Sequence, residues 1–141
     1  MRRVFQMNLN APVTALTATL LVPLLLRLAL GVIRKRKEHQ IAVGTGNHAD
    51  LEVAIRAHGN FIECVPFVLV LLLCAEVNAS PLWLTVPAGM ALIAGRWIHA
   101  SAIPAGDIAK RVKGMKLTFA SVALATLANI APFIIAFATK A

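Results

Sequence analysis

The sequence predicts an all-α integral membrane protein that folds as one domain, a bundle of four transmembrane helices. Of its 141 residues, 59% are hydrophobic and only 14% are charged, and the mean hydropathy is +0.77. This composition lies far from that of a soluble domain. A helix needs about 20 largely apolar residues to cross a bilayer, so four such segments with short loops occupy nearly all of residues 1–141.

Each span is predicted from an apolar run and from the residues that end it. The four spans cover about residues 13–33, 48–77, 82–103 and 117–138. The basic run 34–37 ends the first span, and the second begins with polar turns before its apolar part. The segment 78–81, Asn-Ala-Ser-Pro, supplies a turn after the second span, and Pro-Ala-Gly at 104–106 ends the third.

The distribution of positive charge predicts the orientation of the bundle. The loops after the first and third spans carry eight Lys and Arg residues, whereas the opposite side carries Arg2, Arg3 and Lys140. Because basic loops stay in the cytoplasm, both termini are expected on the non-cytoplasmic side. If translation begins at Met7, Arg2 and Arg3 are absent and the bias becomes eight to one. The net charge of +8 therefore reflects topology, and no aromatic residues interleave with the basic ones as in a nucleic-acid binder.

Polar side chains form a stripe along the second helix. Glu52, Arg56, Asn60 and Glu63 are spaced by four, four and three residues, which places them within a face about 80° wide. Charged groups are expensive at bilayer depth, so they usually face the interior of a bundle and mark a functional site. We therefore expect these four residues, called the polar stripe below, to face the interior.

Three further polar residues are expected at the same depth. The third span contributes Arg96 and His99 on one helical face, and the first contributes Arg27. With the polar stripe they leave an excess of one positive charge, histidine not counted. Such a pocket suits a ligand with carboxylates and an amine, because guanidinium groups bind carboxylates in a bidentate manner and a glutamate binds an ammonium. The alternative is that these residues only pair with one another between helices, and that Arg27 extends to the headgroups.

The sequence predicts no metal site and no phosphate loop. His48, His58 and His99 are not at a ligand spacing with the cysteines. The segment Gly44-Thr-Gly46 is too short for a phosphate loop and is better suited to a turn.

Three segments carry a family resemblance. The segment 52–66, EVAIRAHGNFIECVP, resembles the second-helix motif of the membrane-associated proteins in eicosanoid and glutathione metabolism, the MAPEG family, with Glu, Arg, Asn, Glu and Pro at the family's spacings. The segment 95–100, GRWIHA, resembles the third-helix motif. The segment 111–118, RVKGMKLT, is similar to the start of the fourth helix in bacterial members. The resemblance covers nearly the whole chain.

This resemblance implies a homotrimer in the inner membrane of a bacterium that binds glutathione between neighbouring subunits, on the cytoplasmic side. In the family, the residues matched by Arg56, Asn60 and Glu63 hold the tripeptide, with help from the one matched by His99. Glutathione carries two carboxylates and one ammonium, which agrees with the mixed charges of the predicted pocket. The full set of expected glutathione-binding residues is Arg56, Asn60, Glu63, His99, Arg96, Glu52 and Arg27.

The chain departs from the family at the residues that activate the thiol. Eukaryotic catalytic members use tyrosines on the third and fourth helices and an arginine near the start of the fourth, whereas this chain has no tyrosine. Ile103 and Phe119 fill the tyrosine positions, and Met115 falls near the arginine position. A neighbouring cation can lower the pKa of a thiol, and we expect Arg111 to be this catalytic residue. The cations that could supply this charge are Arg111, Lys113 and Lys116.

The expected function is therefore that of a glutathione-dependent transferase or peroxidase. Its pocket would stabilise the thiolate of glutathione, the cosubstrate, for attack on a lipophilic small molecule that arrives through the membrane lipids. The missing tyrosines favour an alternative, a non-catalytic trimeric membrane protein of the same fold with a lipid or small-molecule binding role. A small proton-coupled exporter is a third alternative, but the first span carries Arg27 and no acidic residue.

Overall fold

The computed structural model describes residues 10–138, which fold into four α-helices joined by short loops. The helices are α1 (Pro12–His39), α2 (Ala49–Val77), α3 (Leu82–Ala102) and α4 (Ile108–Ala138). The described residues contain no strand, so the predicted all-α four-helix fold is confirmed. The predicted orientation stays a prediction, since part of its basis lies outside the described residues. The residues concerned are Arg2, Arg3, Met7 and Lys140.

Two helices extend further than the predicted spans. Helix α1 continues through the basic run 34–37 to His39, and α4 begins at Ile108, well before its apolar part. Lys and Arg are good helix formers, and a helix that leaves the hydrocarbon needs no apolar side chains. At the start of α4, the Asp107 carboxylate accepts a hydrogen bond of 2.9 Å from the backbone N–H of Lys110, which caps the helix. The basic residues therefore lie mainly on helix ends.

Three of the helices, α1, α2 and α4, are long and apolar enough to cross a membrane. Helix α3 has 21 residues, so it also reaches a spanning length of about 31 Å at 1.5 Å per residue. Its hydropathy is lowered by Arg96 and His99, whose side chains are buried against the other helices. The α1–α2 loop (40–48) and the α3–α4 loop (103–107) lie at the same end of the bundle, which is called the basic end below.

The larger of the two apolar clusters among the described residues joins all four helices. It contains Leu21 and Leu24 of α1, Phe61, Val65, Val68 and Leu72 of α2, Ala88 and Leu92 of α3, and Ala125 of α4. Large apolar side chains on the outer faces, such as Phe67, Trp83 and Phe133, are largely exposed in the single chain. In a membrane this surface meets lipid or another protein, so its apolar character is stabilising there.

Helices α3 and α4 pack backbone to backbone through two glycines. A Cβ atom on Gly114 would lie 2.7 Å from the backbone nitrogen of His99 and 2.8 Å from the carbonyl oxygen of Gly95. A Cβ atom on Gly95 would lie 2.9 Å from the carbonyl oxygen of Gly114. Small residues allow close approach of helices in lipid, where dispersion contacts replace the hydrophobic effect. This contact fixes the position of the arginine and histidine on α3.

A carboxylate caps the start of α1. Glu76, near the end of α2, accepts hydrogen bonds from the backbone N–H groups of Val13 (2.9 Å) and Thr14 (2.7 Å) and from the Thr14 hydroxyl (2.7 Å). The first N–H groups of a helix have no partner within the helix, and a negative charge there is favourable. Glu76 thus joins α1 to α2 at the end opposite the basic end, a role that its sequence position does not reveal.

We expect Gly114→Ala to lower the free energy of unfolding by about 1–3 kcal/mol, because the new methyl group overlaps backbone atoms of α3. Gly31→Ala is the matched control, since a Cβ atom there meets nothing within 4 Å and alanine favours a helix. Thermal unfolding in detergent, followed by circular dichroism, measures both. An equal effect of the two substitutions would contradict the close α3–α4 contact.

We expect Glu76→Ala to destabilise the fold by about 1–2 kcal/mol, because it removes all three hydrogen bonds that cap α1. Glu38→Ala serves as the control: Glu38 pairs with Lys35 on the surface, where an ion pair contributes little. The same unfolding experiment compares them. A neutral effect of Glu76→Ala would show that this cap is dispensable.

Candidate functional site

A buried guanidinium group is the centre of the polar site. Arg96 on α3 is 1% exposed. Its Nη2 atom donates to Asn60 Oδ1 (2.7 Å) and its Nη1 atom to Thr118 Oγ1 (3.3 Å), while its Nε atom is buried without a partner. Among residues 10–138, no carboxylate lies within salt-bridge distance of this group. A buried cation without a counterion is costly, so the site favours an anion supplied from outside the described chain.

His99 takes part in the same network and acquires a defined tautomer from it. The Nη2 atom of Arg96 lies 3.1 Å from His99 Nδ1. A guanidinium group has only donors, so Nδ1 must accept and the proton of the neutral imidazole lies on Nε2. His99 therefore offers an N–H donor on the side of its ring that faces away from Arg96.

Thr118 is a part of this network that the spacing of charged residues did not predict. Its hydroxyl accepts from Arg96 and donates to the carbonyl oxygen of Gly114 at 3.0 Å. It lies one turn after Gly114 on the face of α4 that packs against α3. The Arg96 side chain reaches it because the two glycines bring the helices together. The sequence does contain a signal for it: Thr118 follows Gly114 by one helical turn on the face of small residues that packs against α3.

The polar stripe of α2 faces outward from the chain, which corrects the expectation that it lies in the interior. The side chains of Arg56 and Glu52 are 80% and 59% exposed and approach each other at only 4.0 Å. Glu63 is also exposed, and Asn60 is half-buried at the edge that touches α3. Within one chain, the predicted convergence therefore holds for Asn60 with α3 and is wrong for the three charged residues of the stripe.

The reason lies in the apolar side of the same helix. The buried residues of α2 include Leu51, Ala57, Phe61, Val65 and Val68, and they pack against the other helices. At about 100° per residue, this buried face is centred roughly 150° from the polar stripe. The helix cannot turn both faces inward, and burial of the apolar face decides its rotation.

Arg27 lies apart from the arginine on α3. It is exposed and lines a cavity of about 670 Å³ at the basic end, between α1, α2 and the end of α3. Much of the cavity wall is apolar, with Leu28, Val53 and Ala57 among its residues, and its charged residues are Arg27, Arg34, Lys35 and Asp50. The predicted meeting of Arg27 with the polar stripe is not seen in the single chain, since none of the four stripe residues lines this cavity.

The residues expected to act on the thiol lie along the outer side of α4. Arg111 is exposed and lines a shallow groove with Met115 and Phe119. Met115 Sδ lies 3.8 Å from Arg96 Nη1, so this groove borders the buried network. Ile103, at the other position where the family has tyrosine, lines the cavity at the basic end instead.

These features define a helical multi-pass membrane protein with a buried, positively charged polar site beside a charged outer face. The profile that describes the MAPEG family matches residues 14–131, and the chain belongs to that family. It is 36% identical over 118 residues to the inner membrane protein YecN of Escherichia coli K12, an alignment that covers 84% of this chain and 90% of YecN. The YecN protein of Escherichia coli O6:H1 matches with the same identity and coverage. The predicted family and membrane location are confirmed.

We expect Asn60→Ala to destabilise the protein by about 1–3 kcal/mol, because it leaves a buried donor of Arg96 without its shortest hydrogen bond. Asn60→Asp should preserve or raise stability, since it places a carboxylate where the guanidinium lacks one. Thermal unfolding of the two variants in detergent makes the comparison. If Asp is as damaging as Ala, the missing counterion is not a property of this site.

Proposed function

We propose that the protein is a glutathione-dependent transferase or peroxidase of the bacterial inner membrane, acting on lipophilic electrophiles. The observation that supports this best is the buried guanidinium of Arg96, which has no carboxylate partner among the described residues. It lies beside a face of α2 that carries one further arginine and two glutamates. The names of the two related proteins give only a location in the inner membrane, so the activity is our inference.

The exposed polar stripe supports assembly into the homotrimer that the family resemblance implies. Charged side chains that face lipid at bilayer depth cost several kcal/mol each (about 2.5–3.5 on insertion scales). Arg56 and Glu63 are exposed in the single chain, and among residues 10–138 the only ion pair of either is the 4.0 Å contact between Arg56 and Glu52. A neighbouring subunit that covers this face would remove that cost. The site would then lie between subunits.

Glutathione matches the charges gathered there. Its two carboxylates suit the guanidinium groups of Arg56 and Arg96, and its ammonium suits Glu63 or Glu52. Asn60 lies between the outer stripe and the buried network and already contacts Arg96, so it connects the two parts of the site. The mixed composition explains why both signs of charge occur on one membrane helix.

Two residues can stabilise the thiolate in the absence of tyrosine. The His99 tautomer defined by Arg96 presents an Nε2–H donor, which can bind a sulfur anion. Arg111 lies one turn before Met115 on the groove that borders the network, so it can supply positive charge from α4. In conjugation, the thiolate sulfur forms a bond to the electrophilic carbon and the leaving group departs with its electron pair.

The cavity at the basic end has the apolar wall that a lipophilic molecule needs, although none of the residues proposed to hold glutathione at the thiolate lines it. The cavity of about 670 Å³ is lined by Arg27 and Arg34 as well as by apolar residues. A hydrophobic molecule with an anionic group fits this combination.

We expect the purified protein to bind glutathione and to develop the ultraviolet absorbance of a thiolate in stopped-flow mixing. Arg56→Ala should weaken binding by about 10- to 100-fold, the value of a charge-assisted hydrogen bond. Lys37→Ala is the control, because it removes the same charge from an exposed residue at the basic end. Absence of glutathione binding by the parent protein would rule out this function.

The missing tyrosines favour a second candidate function, a non-catalytic trimer of the MAPEG family that binds a lipid or small molecule. In that case the polar stripe serves assembly, and Glu63→Ala should dissociate the trimer in native mass spectrometry. If the protein uses glutathione, the same variant should remain trimeric and lose glutathione binding. The two outcomes separate the candidates.

A further inference from the structure

We infer a binding site for a divalent transition-metal ion of the Zn²⁺ class at the basic end, formed by His39, His48 and Asp50. One ligand atom from each of these residues lies within 4.8 Å of the others. His39 is the last residue of α1, His48 directly precedes α2, and Asp50 lies in the first turn of α2. The site is distinct from the polar stripe and does not depend on the proposed function.

The fold of the α1–α2 loop brings these residues together. Gln40 and Asn47 adopt left-handed backbone conformations (φ 54° and 63°) that reverse the chain between the helices. The guanidinium of Arg36 donates to the carbonyl oxygens of Ala42 (3.0 Å) and Gly44 (3.2 Å), which holds the loop against α1. The loop is therefore ordered by contacts that do not involve the three ligands. A preformed loop lowers the cost of placing ligands around an ion.

The distances already approach those of a metal site. His39 Nε2 lies 3.0 Å from both carboxylate oxygens of Asp50. Two ligands at 2.0–2.2 Å from a tetrahedral ion are about 3.3–3.6 Å apart, so this pair needs to open by about 0.3–0.6 Å. The His48 ring stacks on that of His39, with the ring centroids 3.8 Å apart. His48 is exposed, so its ring can rotate to direct a nitrogen to the same ion.

The protonation of the ligands is also suitable. The Asp50 carboxylate is 45% exposed, and an exposed aspartate is ionised at neutral pH, so it is available as a ligand. An ion would replace the proton that His39 Nε2 donates to Asp50, and this proton leaves or moves to Nδ1. Two imidazoles and one carboxylate select borderline ions such as Zn²⁺, Co²⁺ or Ni²⁺ over Mg²⁺ or Ca²⁺.

Lys35 provides a specific test of the site. Its Nζ atom lies 3.1 Å from Asp50 Oδ2 and 2.6 Å from Glu38 Oε2, so an ammonium group competes with a metal ion for the Asp50 carboxylate. Lys35→Gln removes this positive charge and leaves all three ligands in place. The affinity for Zn²⁺ should then rise about 30-fold at low ionic strength, as expected for one unit charge about 4 Å from a divalent ion in water.

The experiment uses the full chain in detergent, with any affinity tag removed and any chelator washed out. Zn²⁺ binding is measured by calorimetry, and Co²⁺ binding is measured by visible absorption. We expect one ion per chain, with affinity reduced on the order of 100-fold in His39→Ala and in His48→Ala. His58→Ala, a histidine of α2 outside the cluster, should bind as the parent does. Zn²⁺ should also raise the unfolding temperature of the parent and not that of His48→Ala.

Two results would overturn the inference. One is the absence of saturable binding by the parent protein at micromolar Zn²⁺. The other is binding that persists unchanged in both histidine variants, which would place the ion elsewhere. Since glutathione is absent from these titrations, either result leaves the proposed enzymatic function unaffected.

Discussion

The burial of the Arg96 guanidinium is the constraint on which the site depends. Its partners are uncharged, an amide oxygen on α2, a hydroxyl on α4 and an imidazole nitrogen on α3, so three helices meet around one cation. The close glycine contact between α3 and α4 makes this arrangement possible, because it leaves no room for side chains between the two backbones. Packing on three sides holds the guanidinium in place, and among the described residues it has no anionic partner.

Helix α2 has an apolar face and a polar stripe, and only one of them can face the core of the chain. Its apolar face fills the core of the chain, which leaves Arg56 and Glu63 on the outer surface of a membrane-spanning helix. In water such a face needs no explanation, but in lipid it requires a partner. This cost is the basis of the proposed trimer, because the residues that resemble the family's glutathione ligands are exposed in the single chain.

The two ends of the bundle use charge differently. At the basic end, Lys35, His39 and Asp50 form a compact cluster of opposite charges. At the opposite end, the Glu76 carboxylate accepts hydrogen bonds from the first backbone N–H groups of α1. These donors are the partners that a carboxylate in a membrane helix needs. The cluster at the basic end and Glu76 lie on α1 and α2, but none of their residues belongs to the polar stripe.

The number of helices, their approximate bounds and the family were determined by the sequence alone. Apolar length and turn residues such as those at 78–81 are local properties, and a motif such as 52–66 is specific enough to identify the family. The predictions of where α1 ends and where α4 begins were less accurate, because a basic segment ends the apolar span but not the helix.

Only the tertiary structure decided which residues meet. A helix in lipid is apolar on its outer face as well as its inner one, so hydrophobic periodicity does not report its rotation. A polar residue can therefore face the core, as Arg96 does, or the outer surface of the chain, as Arg56 does. The partners of Glu76 and the meeting of His39 with Asp50 depend on helix packing and chain reversal, which are long-range properties that no local pattern contains.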